Sequence, residues 1–188
     1  MGSPKALLTA PDGQPFVVRV ARTFLEADVW PLVVVTGAEH DAIEGCLAQL
    51  AETKGVRCVR NPDPARGQLS SLWVGLDAVT RLADAPVEGC LVTLVDVPML
   101  RSETIRRIVA AWRRTKAPIV RPAIADRHGH PVLFDGSLFA ELRSAPLSSG
   151  AKTVVRAHEA EIWNEPVTDE GCLTDVDTPA DYQRLSGS

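Results

Sequence analysis

The stretch Cys90-Leu91-Val92-Thr93-Leu94-Val95-Asp96-Val97-Pro98 decides the fold. Its first six residues form an almost continuous apolar run, which predicts a strand buried on both faces of a sheet. Asp96 follows this strand directly and would face the sheet edge at which α/β proteins bind ligands. Mg²⁺ prefers one or two such carboxylates beside phosphate and water oxygens, so Asp96 is a candidate metal ligand. The alternative is a carboxylate that only caps the turn before Pro98.

On either side of this strand, apolar residues alternate between helical spacing and short β-branched runs. The spacing predicts helices over 16–25, 43–51, 71–82 and 102–112, the last capped by Ser102, and strands over 32–36, 56–59, 90–95, 119–120 and 131–134. Such alternation predicts an α/β fold with a Rossmann-like, doubly wound, mostly parallel sheet. After Arg121 the strands lie closer together, which predicts an antiparallel addition. Residues 1–188 contain no repeat or linker, so we expect a single domain.

The composition is that of an ordinary globular protein. The chain has 188 residues, of which 45% are hydrophobic and 23% charged, and its net charge of -4 argues against binding to nucleic acid or an anionic membrane. Its apolar runs are too short to span a bilayer, and the N-terminus lacks the apolar core of a signal peptide, so we expect a cytoplasmic protein. The four widely spaced cysteines predict reduced, buried thiols and no zinc site.

The C-terminal stretch Thr174-Asp175-Val176-Asp177-Thr178-Pro179-Ala180-Asp181 is the second candidate for chemistry. Thr178, Pro179 and Asp181 are typical of the start of a helix. Asp175 and Asp177 alternate with Val176 and would point to the same side of an extended segment. Two like charges on one side need either a cation or solvent, and the spacing alone leaves both open.

Two loops and one lysine complete the candidates. Between a predicted strand and a predicted helix, Asn61 is followed by Gly67, Ser70 and Ser71, which could offer backbone N–H groups to an anion or simply connect the two elements. The segment Arg127-His128-Gly129-His130-Pro131 suits an anionic or heteroaromatic ligand better than a metal, although single histidines are more often structural. Lys5, taken alone, is a solvated surface charge.

Taken in order along the chain, these segments resemble the MobA-like NTP transferases of molybdenum cofactor synthesis. The resemblance rests on the stretches Met1-Gly2-Ser3-Pro4-Lys5, Val34-Val35-Thr36-Gly37, Gly67-Gln68-Leu69-Ser70-Ser71, Val95-Asp96-Val97-Pro98, Gly129-His130-Pro131, Ser149-Gly150-Ala151-Lys152 and Thr174 to Asp181. It implies the nucleotide-diphospho-sugar transferase type of fold. Gly129-His130-Pro131 and the D-x-D-T-P-x-D pattern of the C-terminal stretch resemble the cytidylyltransferase branch of this family.

The resemblance also implies a reaction and a role for each candidate residue. CTP and the molybdopterin phosphate would give the cytosine dinucleotide and pyrophosphate with Mg²⁺, and a molybdenum hydroxylase of the xanthine dehydrogenase type would receive the product. Lys5 would lie over the triphosphate, and Asp96 and Asp177 would hold the metal. The nucleotide would contact Asn61, Gly67, Ser70 and Ser71, and the acceptor would contact Arg127, His130 and Lys152.

Alternative functions follow from departures from the family pattern. Val97 stands where the cytidylyl branch commonly has glutamine, and Lys152 stands where the family more often has arginine. Met1-Gly2 matches the end of the family's opening signature, so we expect that the first strand and its Gly-rich, Arg-containing loop would precede Met1, and that the chain as written binds CTP weakly or not at all. The alternatives are therefore transfer to another phosphorylated acceptor, a guanylyltransferase, or a non-catalytic molybdopterin-binding protein.

Overall fold

We analysed the protein as a computed structural model, which describes residues 4–147 and 150–186. The helices are α1 (Phe16–Glu26), α2 (His40–Lys54), α3 (Gln68–Leu82), α4 (Ser102–Thr115), α5 (Phe139–Ser144), α6 (Lys152–Ala157) and α7 (Pro179–Ser186). The strands are β1 (Val33–Thr36), β2 (Arg57–Arg60), β3 (Gly89–Val92), β4 (Ile119–Ile124), β5 (Arg127–His128), β6 (Val132–Asp135) and β7 (Ile162–Pro166). Met1, Gly2, Ser3 and Ser149, which belong to the stretches that carry the family resemblance, lie outside the described residues.

The strands form a two-stranded sheet and a five-stranded sheet, and the fold is α/β as predicted. β1 pairs with β2 in parallel, and β4 pairs with β7 in parallel. β6 lies antiparallel between β3 and β4, and the short β5 is antiparallel to β4, so the expected antiparallel addition is present after Arg121. In the described part of the chain, β1 pairs only with β2 and β3 only with β6, so no backbone pairing joins the two sheets.

Helices cover the five-stranded sheet on both faces because neighbouring residues of a strand point to opposite sides. On one face, Ile108 and Trp112 of α4 pack on Val120 of β4. On the other face, the adjacent Ile119 belongs to a core cluster with Leu76 of α3. Each of these apolar side chains is at most 9% exposed, and each stabilises the fold by about 1.5–3 kcal/mol through burial. The predicted doubly covered sheet is therefore confirmed.

The β1–β2 ladder packs against the N-terminal helices. Leu47 of α2 and Val17 of α1 lie in one cluster with Val34 of β1. On the other face, α3 approaches β1 so closely that a Cβ added at Gly75 would lie 3.2 Å from Val35 Cγ2. Side-chain packing, rather than backbone pairing, links β1 and β2 to the larger sheet. Val95, in the segment that follows β3, belongs to the same cluster.

The predicted strand over 90–95 is shorter in the structure and ends at Val92. Its partner β6 begins at Val132, which pairs with Val92, and the residue before Val132 is Pro131. Proline has no N–H to donate, so the ladder cannot extend beyond Val92. Residues 93 and 94 therefore lie outside the strand, and Asp96 lies in the turn at 95–96 rather than directly at the end of the strand.

The start of α4 also differs from the prediction. Ser102 is the first helical residue rather than its cap, and the preceding Arg101 makes no side-chain cap hydrogen bond. The cap comes instead from Asp169, which is distant in sequence. Asp169 Oδ2 accepts hydrogen bonds from the Arg101 backbone N–H at 2.9 Å and from the Thr104 hydroxyl at 2.7 Å. The helix start is thus fixed by a tertiary contact, which local sequence patterns do not reveal.

None of the helices in the described residues is both long enough and apolar enough to cross a membrane.

Asp169→Ala should destabilise the protein by about 2 kcal/mol, because it leaves the Arg101 N–H just before α4 and the Thr104 hydroxyl without their acceptor in a buried place. Chemical denaturation of the variant and the wild type measures the change in unfolding free energy. Asp84→Ala, which removes an exposed carboxylate from a loop, is the matched control and should change it by less than about 0.5 kcal/mol. Equal stability of Asp169→Ala and Asp84→Ala would show that Asp169 does not cap α4.

Candidate active site

Three segments that are distant in sequence meet at one lysine and two aspartates. Lys5 lies at the start of a 3₁₀ turn near the N-terminus, Asp96 in the turn after β3, and Asp177 directly before α7. Lys5 Nζ contacts Asp96 Oδ2 at 3.1 Å and also contacts Asp177 Oδ1. The structure therefore brings together the residues that the sequence predicted for the metal and for the triphosphate.

The backbone holds the two carboxylates in place. The Val176 N–H donates a hydrogen bond to the Asp96 carbonyl oxygen at 2.8 Å, which ties the C-terminal segment to the turn after β3. The Val176 side chain is 1% exposed and packs in a cluster with Phe16, whereas Asp175 and Asp177 on either side of it are exposed. The predicted alternation around Val176 is confirmed, and it directs both aspartates to the side of Asp96.

A reciprocal capping arrangement at the start of α7 fixes the backbone at Asp177. Asp181 Oδ2 accepts hydrogen bonds from the Thr178 N–H at 2.7 Å, the Thr178 hydroxyl at 2.7 Å and the Asp177 N–H at 3.2 Å. The Asp181 N–H donates back to the Thr178 hydroxyl at 3.2 Å. These hydrogen bonds, that of the Thr178 side chain above all, lower the pKa of Asp181 to about 2. The predicted helix start at Thr178 and Pro179 is confirmed.

The charges of the cluster act on one another. The hydrogen bond to Asp177 is the main cause that raises the pKa of Lys5 above its usual 10.5, so the ammonium form is favoured. Burial, and next the negative charge of Asp96, raise the pKa of Asp175 above its usual 3.8, while His130 and Lys5 act in the opposite direction. Asp175 thus shares the electrostatic environment of the site, although the sequence assigned it no definite role.

Two polar atoms at this cluster, Asp96 Oδ1 and His130 Nδ1, are buried and have no hydrogen-bond partner among the described residues. A buried carboxylate oxygen without a donor is costly unless a cation or water satisfies it. The unpartnered atoms mark the place where a ligand would complete the site.

The donor set fits a divalent metal of the Mg²⁺ type. Asp96 and Asp177 supply two carboxylates, one of which has the unpartnered Oδ1. Across the described ranges, no three His, Cys, Asp or Glu side chains are grouped so that they could hold a metal ion. Two carboxylates that leave the rest of the shell to water and phosphate oxygens suit a hard divalent ion.

The loop after β2 is held together by buried hydrogen bonds. Asn61 and Ser70, which are 3% and 4% exposed, bond to each other at 2.8 Å, and Asn61 Nδ2 also donates to the Ser71 hydroxyl at 3.0 Å. Gly67 has a φ of 88°, which favours glycine, and its carbonyl accepts from Ser70. Helix α3 therefore begins at Gln68, three residues earlier than predicted. Asn61 and Ser70 therefore hold the shape of the loop. The backbone N–H groups beside it that could meet a ligand are those of the first turn of α3.

The predicted acceptor residues lie in three separate places. His130 donates its backbone N–H to the Cys172 carbonyl at 2.9 Å. Gly129 is required there because a Cβ would lie 2.1 Å from the same carbonyl oxygen. Arg127 pairs with Glu170 at 2.8 Å on the surface, and Lys152 is exposed at the first residue of α6. Of these residues, His130 is the one that acts electrostatically on the cluster, through Asp175.

Comparison with known proteins matches this chain to nucleotidyltransferases. Residues 1–162 match the family model of the MobA-like NTP transferase domain. A probable molybdenum cofactor guanylyltransferase from Rhodopirellula baltica is 31% identical over 121 residues, which are 64% of this chain and 53% of that protein. The bifunctional protein GlmU from Anaeromyxobacter sp. (strain Fw109-5) is 32% identical over 119 residues, which are 63% of this chain and 23% of that protein. The chain thus spans about half or less of these curated relatives.

Solved structures confirm the type of fold. The crystal structure of Rv0371c from Mycobacterium tuberculosis H37Rv superposes with a TM-score of 0.81 at 26% identity, covering 100% of this chain and 91% of that one. The same protein in complex with manganese gives a TM-score of 0.77 at 26% identity, covering 100% of this chain and 94% of that one. The α/β fold is therefore that of the nucleotide-diphospho-sugar transferases, as the sequence predicted.

The carboxyl group of Asp181 should titrate near pH 2 in the wild type, because the Thr178 hydrogen bonds stabilise its ionised form. Since this pKa is depressed, the capping arrangement contributes its full stability above the usual 3.8 and loses it as the pH falls through about 2. Thr178→Val removes the hydroxyl and should move the midpoint upward, as followed by carboxyl-carbon NMR. Thr174→Val, whose hydroxyl bonds the Glu170 carbonyl instead, is the control and should leave it unchanged. An unchanged midpoint in Thr178→Val would contradict the assignment.

Proposed function

The chain belongs to the MobA-like NTP transferase family, and from this premise we propose that it transfers a cytidylyl group from CTP to the phosphate of molybdopterin, releasing pyrophosphate. The observation that carries the proposal is the contact of Lys5 with both Asp96 and Asp177 beside a buried, unpartnered Asp96 oxygen. This arrangement combines a cation for phosphate oxygens with carboxylates for a metal. A nucleotidyltransferase needs both, because its substrates and its leaving group are all anionic.

The reaction requires positioning more than proton transfer. An oxygen of the acceptor phosphate attacks the α-phosphorus of CTP, and the bond from that phosphorus to the oxygen bridging to the β-phosphate breaks as pyrophosphate leaves. A phosphate monoester already carries negative oxygens at neutral pH, so the protein has no proton to remove. Lys5 offsets the charge that develops on the pyrophosphate. The protein lowers the barrier chiefly by alignment and electrostatic stabilisation.

We propose Mg²⁺ as the metal, held by Asp96 and Asp177, because two carboxylates and phosphate oxygens make a hard oxygen site. A bound divalent ion would offset negative charge on the triphosphate. The solved complex of Rv0371c with manganese supports a divalent metal in this fold. In this chain the two aspartates keep their relative position through the Val176–Asp96 backbone hydrogen bond.

Nucleotide binding is proposed at the loop that ends in α3. Gly67 has open space where a side chain would begin, so the backbone can approach a ligand closely. The N–H groups at the N-terminal end of α3, where the helix dipole is positive, favour an anion or an electron-rich base edge. Asn61, Ser70 and Ser71 hold the loop in this shape through their mutual hydrogen bonds.

The acceptor is proposed to lie on the side of His130, whose buried Nδ1 has no partner in the described residues. The exposed Lys152 and Arg127 would contact the phosphate and polar groups of the acceptor as the acceptor enters the site. The product would then pass to a molybdenum hydroxylase of the xanthine dehydrogenase type. Gly129-His130-Pro131 is the motif that favours the cytidylyl branch. The guanylyl branch is the second candidate, because the Rhodopirellula baltica relative is named a guanylyltransferase.

Asp96→Asn should fold normally and lower the rate of transfer about a hundredfold or more, since the amide keeps the shape but loses the charge that holds the metal. Thermal unfolding and steady-state pyrophosphate release, measured with CTP and molybdopterin, test the two halves of this prediction. Asp84→Asn, which neutralises an exposed loop carboxylate, is the matched control and should retain the wild-type rate. A folded Asp96→Asn protein with a near-normal rate would remove Asp96 from the site.

CTP should bind at least about tenfold more tightly than GTP, ATP or UTP, a margin that a few specific contacts to the base can supply. Calorimetric titration of the protein with each nucleotide in the presence of Mg²⁺ measures the order. If GTP binds most tightly, the chain is assigned to the guanylyl branch instead. Equal binding of all four nucleotides would contradict a base-specific site altogether.

A further inference from the structure

Lys5, which is proposed to bind phosphate oxygens, also contacts the two aspartates that are proposed to hold the metal. Its ammonium touches Asp96 Oδ2 and Asp177 Oδ1 at the same time. A Mg²⁺ ion that took these same two oxygens, and not only the unpartnered Asp96 Oδ1, would sit about 2.0–2.1 Å from each, where the ammonium group now stands. The two cations therefore exclude each other from this position.

From this geometry we propose that Lys5 is an internal counter-ion that occupies the metal position until the metal binds, and that its displacement makes the ammonium available to the triphosphate. The inference rests on the proposed function in taking Asp96 and Asp177 as the metal ligands and a nucleoside triphosphate as the substrate. It adds that metal-free protein holds a closed ion cluster, and that metal and nucleotide bind cooperatively because the displaced ammonium gains a new partner.

The need for an internal cation follows from the crowding of negative charge. The Asp96 side chain is only 16% exposed, and Asp175 and Asp177 lie close enough for their charges to influence one another. Among the residues that the structure describes, Lys5 is the one that forms ion pairs with Asp96 and Asp177. Without it, the carboxylates would repel each other in a partly buried place.

Hydrogen bonds fix the backbone that carries the two carboxylates, whereas Lys5 reaches them through a flexible side chain. Asp96 and Asp177 are fixed through the Val176 N–H and through the capping arrangement at Asp181. Lys5 reaches them with a long, unbranched side chain that is 33% exposed. Such a side chain can leave by rotation about its own bonds, so the backbone that carries the two carboxylates need not move.

Competition by Lys5 predicts that its removal strengthens metal binding. In the absence of nucleotide, Lys5→Met should bind Mn²⁺ about tenfold more tightly than the wild type, the factor expected if the ammonium occupies the carboxylates in about nine of ten molecules. The free Mn²⁺ signal in electron paramagnetic resonance measures this directly. Arg143→Gln, which removes one positive charge from a surface pair with Asp77, is the control and should change Mn²⁺ affinity less than about twofold.

Displacement itself can be followed on the lysine. The sequence contains four lysines, so a protein labelled with ¹⁵N-lysine gives few side-chain ammonium signals, and the one missing in Lys5→Met belongs to Lys5. As Mg²⁺ saturates the wild type, the Lys5 signal should lose its ion-paired position and move to that of an exposed lysine. A Lys5 signal that stays in place while Mg²⁺ binds, or equal or weaker Mn²⁺ binding by Lys5→Met, would overturn the inference.

A third variant separates this inference from the function on which it rests. Asp96→Asn should abolish Mn²⁺ binding in both the wild-type and the Lys5→Met background. If Asp96→Asn binds Mn²⁺ normally, the metal site of the proposed function is wrong, and the role of Lys5 falls with it. If Asp96→Asn loses the metal but Lys5→Met gains nothing, the metal site stands and only the displacement of Lys5 is refuted.

Discussion

The hydrogen bond from the Val176 N–H to the Asp96 carbonyl oxygen joins the two ends of the site, and the remaining geometry depends on it. It brings a segment from the C-terminal end of the chain against the turn after β3. The buried Val176 side chain then sets the direction of its neighbours, so that Asp177 meets Asp96 and Lys5. Three stretches separated by most of the chain length thus become one charged cluster. The capping arrangement of Thr178 and Asp181 prevents this segment from shifting along its own axis.

Much of the fold could be predicted from the sequence because its periodicities are strong. The apolar faces of α1 and α4 and the β-branched run of β1 specify their own elements. What could not be predicted depends on contacts between distant residues. The end of β3 is set by Pro131 across the sheet, and the start of α4 by Asp169. Neither partner is near in sequence, so local patterns carry no trace of it.

The candidate site, like the fold, has features that the sequence predicts and features that depend on contacts between distant residues. Lys5, Asp96 and Asp177 could be identified because the family pattern places them in order, although Lys5 alone reads as a surface charge. Their direct contact could not be foreseen, since it arises from the packing of three loops. Asn61 was expected to face the nucleotide, and the structure adds that its side chain is engaged within the loop. A pattern of residues identifies which positions belong to a site, whereas packing decides which of them face the ligand and which support it.

In the sequence of events that we propose, Lys5 leaves the aspartates as the metal arrives and then contacts the phosphates. A crystal structure of the protein with Mg²⁺ and a CTP analogue that cannot be cleaved at the α-phosphorus tests this claim most directly. We expect a metal bonded to Asp96 and Asp177, and Lys5 within hydrogen-bond distance of the phosphates, with the base near the loop that contains Gly67. A nucleotide bound elsewhere, or a Lys5 still paired with both aspartates in the presence of bound metal, would contradict the account.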